Sequence, residues 1–225
     1  VQDDGRVGNP TAHVSWPHAH CVAVGDGGKQ LYVVSLGADV IAQYKLSPQG
    51  QLTPLVPSVA AAPEGSGPRH LVLNAEQTAA FVLTEFSGVA LGLSRDPRTG
   101  VLTPRAAAPA YAQDRGLSRG VQGADPAAEH RIWGADLHLA RDERFLLCSE
   151  RTASTLSCLP VEDRDQLGHP VCVIDTVAQP RGFVVLADGA HAVVTGERST
   201  EVGRYETGAG ANWARTVPGG QAHRD

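Results

Sequence analysis

Apolar residues along this chain come in short runs, each bounded by glycine, proline, aspartate or asparagine, and the i, i+3, i+4 spacing of an amphipathic helix is almost absent. Runs of this length and punctuation predict strands and tight turns, and therefore an all-β protein. Four stretches stack on one another: KQLYVVSL at Val33, AAFVLTEF at Val82, RFLLCSER at Leu147 and HAVVTGER at Val194, at intervals of 49, 65 and 47 residues. Each repeat supplies an apolar run, a turn, a second run, a third that ends in charged residues, and a fourth. The third-to-fourth turn recurs almost verbatim, as QGQLTP at 49–54 and TGVLTP at 99–104. Four-stranded units of roughly 45 residues predict the blades of a β-propeller, with a two-sheet sandwich as the alternative.

The expected blades run over 16–62, 63–110, 132–178 and 179–220, within one propeller domain spanning 1–225. The longer second interval is assigned to an insertion from about Arg105 to Arg131. Four blades of this type close a ring poorly. That, with a start at Val1 and no methionine in 225 residues, predicts a piece of a longer propeller.

Charge and composition narrow the chemistry. A formal net charge of −5 with no Lys/Arg block gives no expectation of a nucleic-acid or membrane surface, and no apolar run is long enough to span a bilayer. No signal-peptide pattern is visible at the first residues. Cys21, Cys148, Cys158 and Cys172 form no C-x-x-C pair and sit in strand-like contexts. Reduced thiols in a cytoplasmic protein are the expected reading, against disulfides or a metal site. Among nine histidines, His18 and His20 stand two apart without a cysteine or carboxylate at ligand spacing, so neither metal nor cofactor is expected.

The repeat also locates the charged groups. Thirteen residues before the anchors stand His20, Arg69 and Arg181, and Gly134 in the third unit; three residues after them stand Leu36, Glu85, Glu150 and Glu197. In an antiparallel hairpin this spacing sets Arg69 directly opposite Glu85, and Arg181 directly opposite Glu197. First strands line a propeller's channel, so His20, Arg69 and Arg181 are expected at one cationic mouth. Each Arg–Glu pair alone reads equally well as a structural ion pair. Recurrence on one rim favours a ligand, because polar groups aimed into a channel lose solvation unless water or a ligand meets them. Arginine suits phosphate or carboxylate.

Four segments, at 17–39, 65–85, 133–151 and 179–199, resemble in order and spacing the YbhE-type lactonases, seven-bladed propellers that include 6-phosphogluconolactonases. The likeness covers the equivalent of about four C-terminal blades. Ser35 stands where the family usually has aspartate. The resemblance implies hydrolysis of a small anionic lactone, 6-phospho-D-glucono-1,5-lactone, to 6-phosphogluconate in the pentose-phosphate pathway. Alternatives are a carboxymuconate-type lactonizing cycloisomerase and an inactive partial propeller serving as a binding platform. By position against a related fungal lactonizing propeller, His20, Arg69, Glu85 and Arg151 are the expected catalytic residues. Arg181, His18 and Trp133 are the expected substrate-binding residues. His20 or Glu85 can serve as general base; the neighbouring Arg69 charge weakens Glu85 in that role, so His20 is preferred. His138 alternates with apolar neighbours and reads as a packed core histidine.

Overall fold

The computed structural model describes residues 5–207 and 213–215. Its strands form four antiparallel sheets in chain order. The first holds β1 (Ala19–Gly25), β2 (Gln30–Ser35), β3 (Val40–Leu46) and β4 (Leu52–Ala61). The second holds β5 (Pro68–Leu73), β6 (Ala79–Thr84), β7 (Val89–Arg95) and β8 (Leu102–Pro109). In the third, β9 (Gly134–Ala140), β10 (Phe145–Glu150) and β11 (Thr155–Glu162) are followed by β12 (Gln166–Leu167) and β13 (Cys172–Asp175), both paired to β11. The fourth is β14 (Pro180–Val185), β15 (His191–Gly196), β16 (Val202–Thr207) and β17 (Trp213–Arg215). The first strands stand side by side, β1 against β5, β5 against β9, β9 against β14. Sheets fanning out from a row of first strands are propeller blades, and the two-layer sandwich is set aside. The expected end of the fourth blade at residue 220, like residues 1–4, lies outside the described residues.

The second strand of the second blade, β6, is buried throughout because both of its faces are covered. On β6, Ala80 and Val82 pack against Tyr32, Val34 and Ile41 of the first sheet. Its alternate residues Ala79, Phe81 and Leu83 pack against Leu137, Leu146 and Cys148 of the third. The third sheet in turn meets the fourth through Leu147, Leu156 and Cys158 against Phe183, Ala192 and Val194. Side chains alternate across a strand, so a sheet sandwiched between two others needs apolar residues at every position.

The insertion begins later than the sequence implies. Arg105 to Pro109 belong to β8, with Ala106 opposite Gly92 and Pro109 opposite Val89. An alanine-rich stretch has low strand propensity, and the waiting edge of β7 overrides it. The excursion between β8 and β9 therefore starts at Ala110.

Polar pins lock the first two blades together. Arg95, at the end of β7, is buried and donates through Nε to Tyr32 Oη (2.7 Å), through Nη1 to Gln77 O (2.7 Å) and through Nη2 to Gln30 Oε1 (2.9 Å). Tyr32 Oη donates onward to Gly100 O (2.6 Å), in the repeated third-to-fourth turn. These acceptors are all neutral, so oriented dipoles solvate the buried cation. Tyr32→Phe removes the central link and leaves Arg95 Nε without that acceptor. We expect it to lower unfolding free energy by about 1–3 kcal/mol in urea titration, with the fold retained.

Candidate active site

Each first strand carries one irregularity, always at the same level. Pairing in β5–β6 passes from His70↔Leu83 to Pro68↔Thr84, leaving Arg69 as the extra residue. His20 is skipped in the same way between Cys21↔Val34 and Ala19↔Ser35, and Arg181 between Gly182↔Thr195 and Pro180↔Gly196. The expected direct opposition of Arg69 to Glu85, and of Arg181 to Glu197, is therefore corrected. A β-bulge takes up one residue at each place and re-aims the side chain. The two pairs nonetheless form, at 2.6 Å and 2.7 Å.

The third blade obeys the same rule once its register is known. Six residues lie between the paired ends Leu73 and Ala80 of the β5–β6 hairpin, but four between Ala140 and Phe145 of β9–β10. The shorter turn moves the bulge two residues along, and Asp136 rather than Gly134 is the counterpart of Arg69. Fixed spacing from an anchor could not show this; comparing the turn lengths LNAEQTAA and ARDERF could have.

The motif that delivers Arg69 is held by the preceding blade. Gly65 and Gly67 donate their N–H groups to the two oxygens of Asp39, at 2.7 and 2.8 Å. Gly67 has φ +64°, and a Cβ there would lie 2.5 Å from the Phe86 ring, so no larger residue fits this turn. Ser35 donates to Pro17 O at 2.6 Å and ties down the segment leading into β1.

Glu85 is the hub of the rim. Its Oε2 meets Arg69 Nε at 2.6 Å and Arg151 Nη2 at 3.2 Å, and its Oε1 accepts the indole N–H of Trp133 at 3.1 Å. Both arginines are 2% exposed. Arg69 also donates through Nη1 to Ala135 O (2.5 Å), and the Arg151 guanidinium lies 3.6 Å over the Trp133 ring. Arg151 Nη1 is 3.8 Å from Glu197, which pairs more closely with the half-exposed Arg181. Glu150, beside Arg151, turns away: it accepts the N–H groups of Trp133, Thr152 and Ala153 and ties the β10–β11 turn.

These side chains wall a cleft of about 480 Å³. All seven residues singled out in the sequence, His18, His20, Arg69, Glu85, Trp133, Arg151 and Arg181, line it. Three guanidiniums and one carboxylate, Glu85, line the cleft, so its wall carries net positive charge. His20 is exposed along one side, yet partial desolvation of its ring, followed by the charges of Arg69, His70, Arg181 and Arg151, pushes it down to about 4, leaving it neutral near pH 7. Burial lowers Arg151 to about 10, with Glu85 opposing, so it remains a cation.

The excursion supplies a wall that the sequence did not reveal. Val121, Gln122, Gly123, Ala124 and Pro126 line the cleft, and the Gln122 amide meets Nε2 of His18 across its mouth. The loop is seated by the Gly120 N–H on Phe86 O (2.8 Å). A Cβ at Gly120 would stand 2.5 Å from Ile132 O, so only glycine allows this approach. His138 is corrected too: it is partly exposed, pairs with Asp136 at 3.3 Å and stands edge-on to Phe183. Among the described residues no group of three His, Cys, Asp or Glu is placed to hold a metal ion, the four cysteines are free thiols, and no helix is long and apolar enough to cross a membrane.

The family described as lactonase, 7-bladed beta-propeller, matches residues 1–211, and the chain belongs to it. A 6-phosphogluconolactonase of Sodalis glossinidius is 29% identical over 211 residues, covering 91% of this chain and 58% of that protein. One of Serratia proteamaculans is 28% identical, covering 92% and 59%. The chain thus spans less than two thirds of the length of these relatives. The solved structure of the Pseudomonas aeruginosa periplasmic gluconolactonase PpgL superposes with a TM-score of 0.77 at 23% identity, over 91% of this chain and 54% of that one, a likeness of fold.

The hub can be tested by stability alone. Glu85→Gln keeps the shape but leaves Arg69 and Arg151 buried without their shared counter-charge. We expect a loss of about 3–5 kcal/mol in denaturant titration, larger than that of Tyr32→Phe.

Proposed function

We propose that this chain contributes the catalytic cleft of a lactone hydrolase, and that its substrate is 6-phospho-D-glucono-1,5-lactone, opened to 6-phosphogluconate in the pentose-phosphate pathway. The observation that carries this reading is a neutral histidine meeting three guanidiniums in one cleft. Ester hydrolysis at neutral pH needs a proton acceptor for water and positive charge for the oxyanion, and His20 with Arg69 and Arg151 meets both needs. The free thiols support a cytoplasmic setting.

In the proposed reaction, His20 takes a proton from water as the oxygen attacks the lactone carbonyl carbon. The resulting oxyanion is held by Arg69 and Arg151, whose positions Glu85 fixes in advance; preorganised stabilisation of this kind contributes about 3 kcal/mol per donor. Collapse of the tetrahedral species breaks the ring C–O bond, and protonated His20 returns its proton to the departing alkoxide. The products are a hydroxyl and a carboxylic acid, which releases the second water proton to solvent and leaves as the carboxylate. Arg181, the most exposed of the three arginines, binds the phosphate, and His18 and Trp133 border the sugar. Glu85 is committed to two arginines and an indole, which supports His20 as the base.

Three outcomes are expected. His20→Gln lowers kcat for 6-phosphogluconolactone by about 10²–10⁴, and an unaltered rate removes His20 from the reaction. Because His20 must be unprotonated, kcat/KM rises with pH through about 4 in the free enzyme. Bound phosphate adds negative charge and stabilises the imidazolium, so the acid limb of kcat lies at higher pH than that of kcat/KM. Arg181→Ala raises KM for the phosphorylated lactone about 10- to 100-fold and leaves an unphosphorylated lactone little affected. A panel that includes a carboxylated muconate distinguishes hydrolysis from lactonizing cycloisomerisation.

A further inference from the structure

Asp136 and His70 stand next to the proposed reaction centre without a part in it. Asp136 occupies the rim position filled by His20, Arg69 and Arg181 in the other blades, and it is largely buried. Its Oδ1 receives Nδ1 of His70 at 2.7 Å and the Leu137 N–H at 3.0 Å. Its Oδ2 meets Nε2 of His138 at 3.3 Å and accepts the Phe183 N–H at 3.3 Å. Burial raises the Asp136 carboxyl, but hydrogen bonds from His138 and His70 outweigh it and hold the group well below the usual carboxylate range.

A carboxylate at Nδ1 puts the proton of neutral His70 on that nitrogen and leaves a lone pair on Nε2. Facing Nε2, at 3.4 Å, is Nη1 of Arg69, which can only donate. On its other side the His70 ring packs against His20, with centroids 4.9 Å apart and planes tilted by 57°. One imidazole therefore touches both the proposed base and one proposed oxyanion donor, and one carboxylate fixes its tautomer. Glu85 grips Arg69 at Nε, and His70 approaches the far end of the guanidinium.

We propose that Asp136 and His70 are a positioning pair for the lactonase site: Asp136 selects the Nδ1–H tautomer of His70, and His70 then orients Arg69 and buttresses His20. This rests on the lactonase reading for its catalytic consequence, and on the described geometry alone for the tautomer. Neither residue contacts substrate. The pair sets the angle at which Arg69 and His20 present themselves, where a displacement near 1 Å changes rate about 10²-fold.

The experiment joins a spectroscopic readout to kinetics on the same chain. In long-range ¹H–¹⁵N spectra at pH 8, His70 should appear as the Nδ1–H tautomer in the wild type and as a mixture or the Nε2–H tautomer in Asp136→Asn. His70→Ala should lower kcat for 6-phosphogluconolactone about 10- to 100-fold with KM changed less than about 3-fold, since a positioning defect falls on the transition state. His70→Gln, whose amide offers Asp136 a donor and Arg69 an acceptor, should recover kcat to within about 3-fold of wild type; a purely space-filling role would give no such rescue. An Nε2–H tautomer in the wild type overturns the proposal whatever the activity. So does an active wild type whose kcat is unmoved in His70→Ala. A chain inactive on every lactone defeats the lactonase reading, and the tautomer spectra then decide the pair by themselves.

Discussion

The carboxylate of Glu85 holds the rim together. Two guanidiniums, each almost sealed from water, share its Oε2, and an indole N–H takes its other oxygen. Burying even one such cation is costly, and burying two within reach of each other adds repulsion. A single anion between them offsets both costs while leaving both charges in place. Because Arg69 comes from the second blade and Arg151 from the third, the same contact staples neighbouring blades. Stability and charge placement here depend on one oxygen atom, so the site and the blade junction are inseparable.

Much of this architecture was legible in the residues. The recurrence at Val33, Val82, Leu147 and Val194 carries the blade plan, because a propeller repeats one solution to the problem of burying both faces of a sheet. The rim positions followed for the same reason, since equal spacing within equal hairpins puts side chains at equal heights. What was not legible has a common cause. Direct opposition of Arg69 and Glu85 assumed an unbroken ladder, and pattern alone does not mark a bulge. Gly134 was taken as the rim residue of the third blade because spacing counted from an anchor ignores a hairpin turn two residues shorter. His138 looked like core because the apolar alternation around it is genuine, while the polar partner that draws it outward, Asp136, lies two residues away on the same strand.

The loop between β8 and β9 shows a different limit of sequence reading. Its composition is that of a surface excursion, and nothing in GVQGADPAAE signals a wall. It becomes one through backbone contacts, a Gly120 N–H on Phe86 O and close passage over Ile132, which no side-chain pattern announces. His20 is perturbed by the same assembly. Its low proton affinity arises first from partial desolvation and then from charges carried by three other blades.

The bulges have a consequence for how such a rim can change. A residue in the regular part of these first strands is held opposite a partner on the second strand, so replacing it disturbs that pair. His20, Arg69, Asp136 and Arg181 instead occupy the surplus place in an otherwise complete hairpin. An imidazole, a guanidinium, a carboxylate and a second guanidinium already fill four equivalent sockets on one scaffold. The chemistry at this mouth can therefore drift most freely at the half-exposed socket of Arg181, and least at Arg69, whose partner Glu85 also staples two blades.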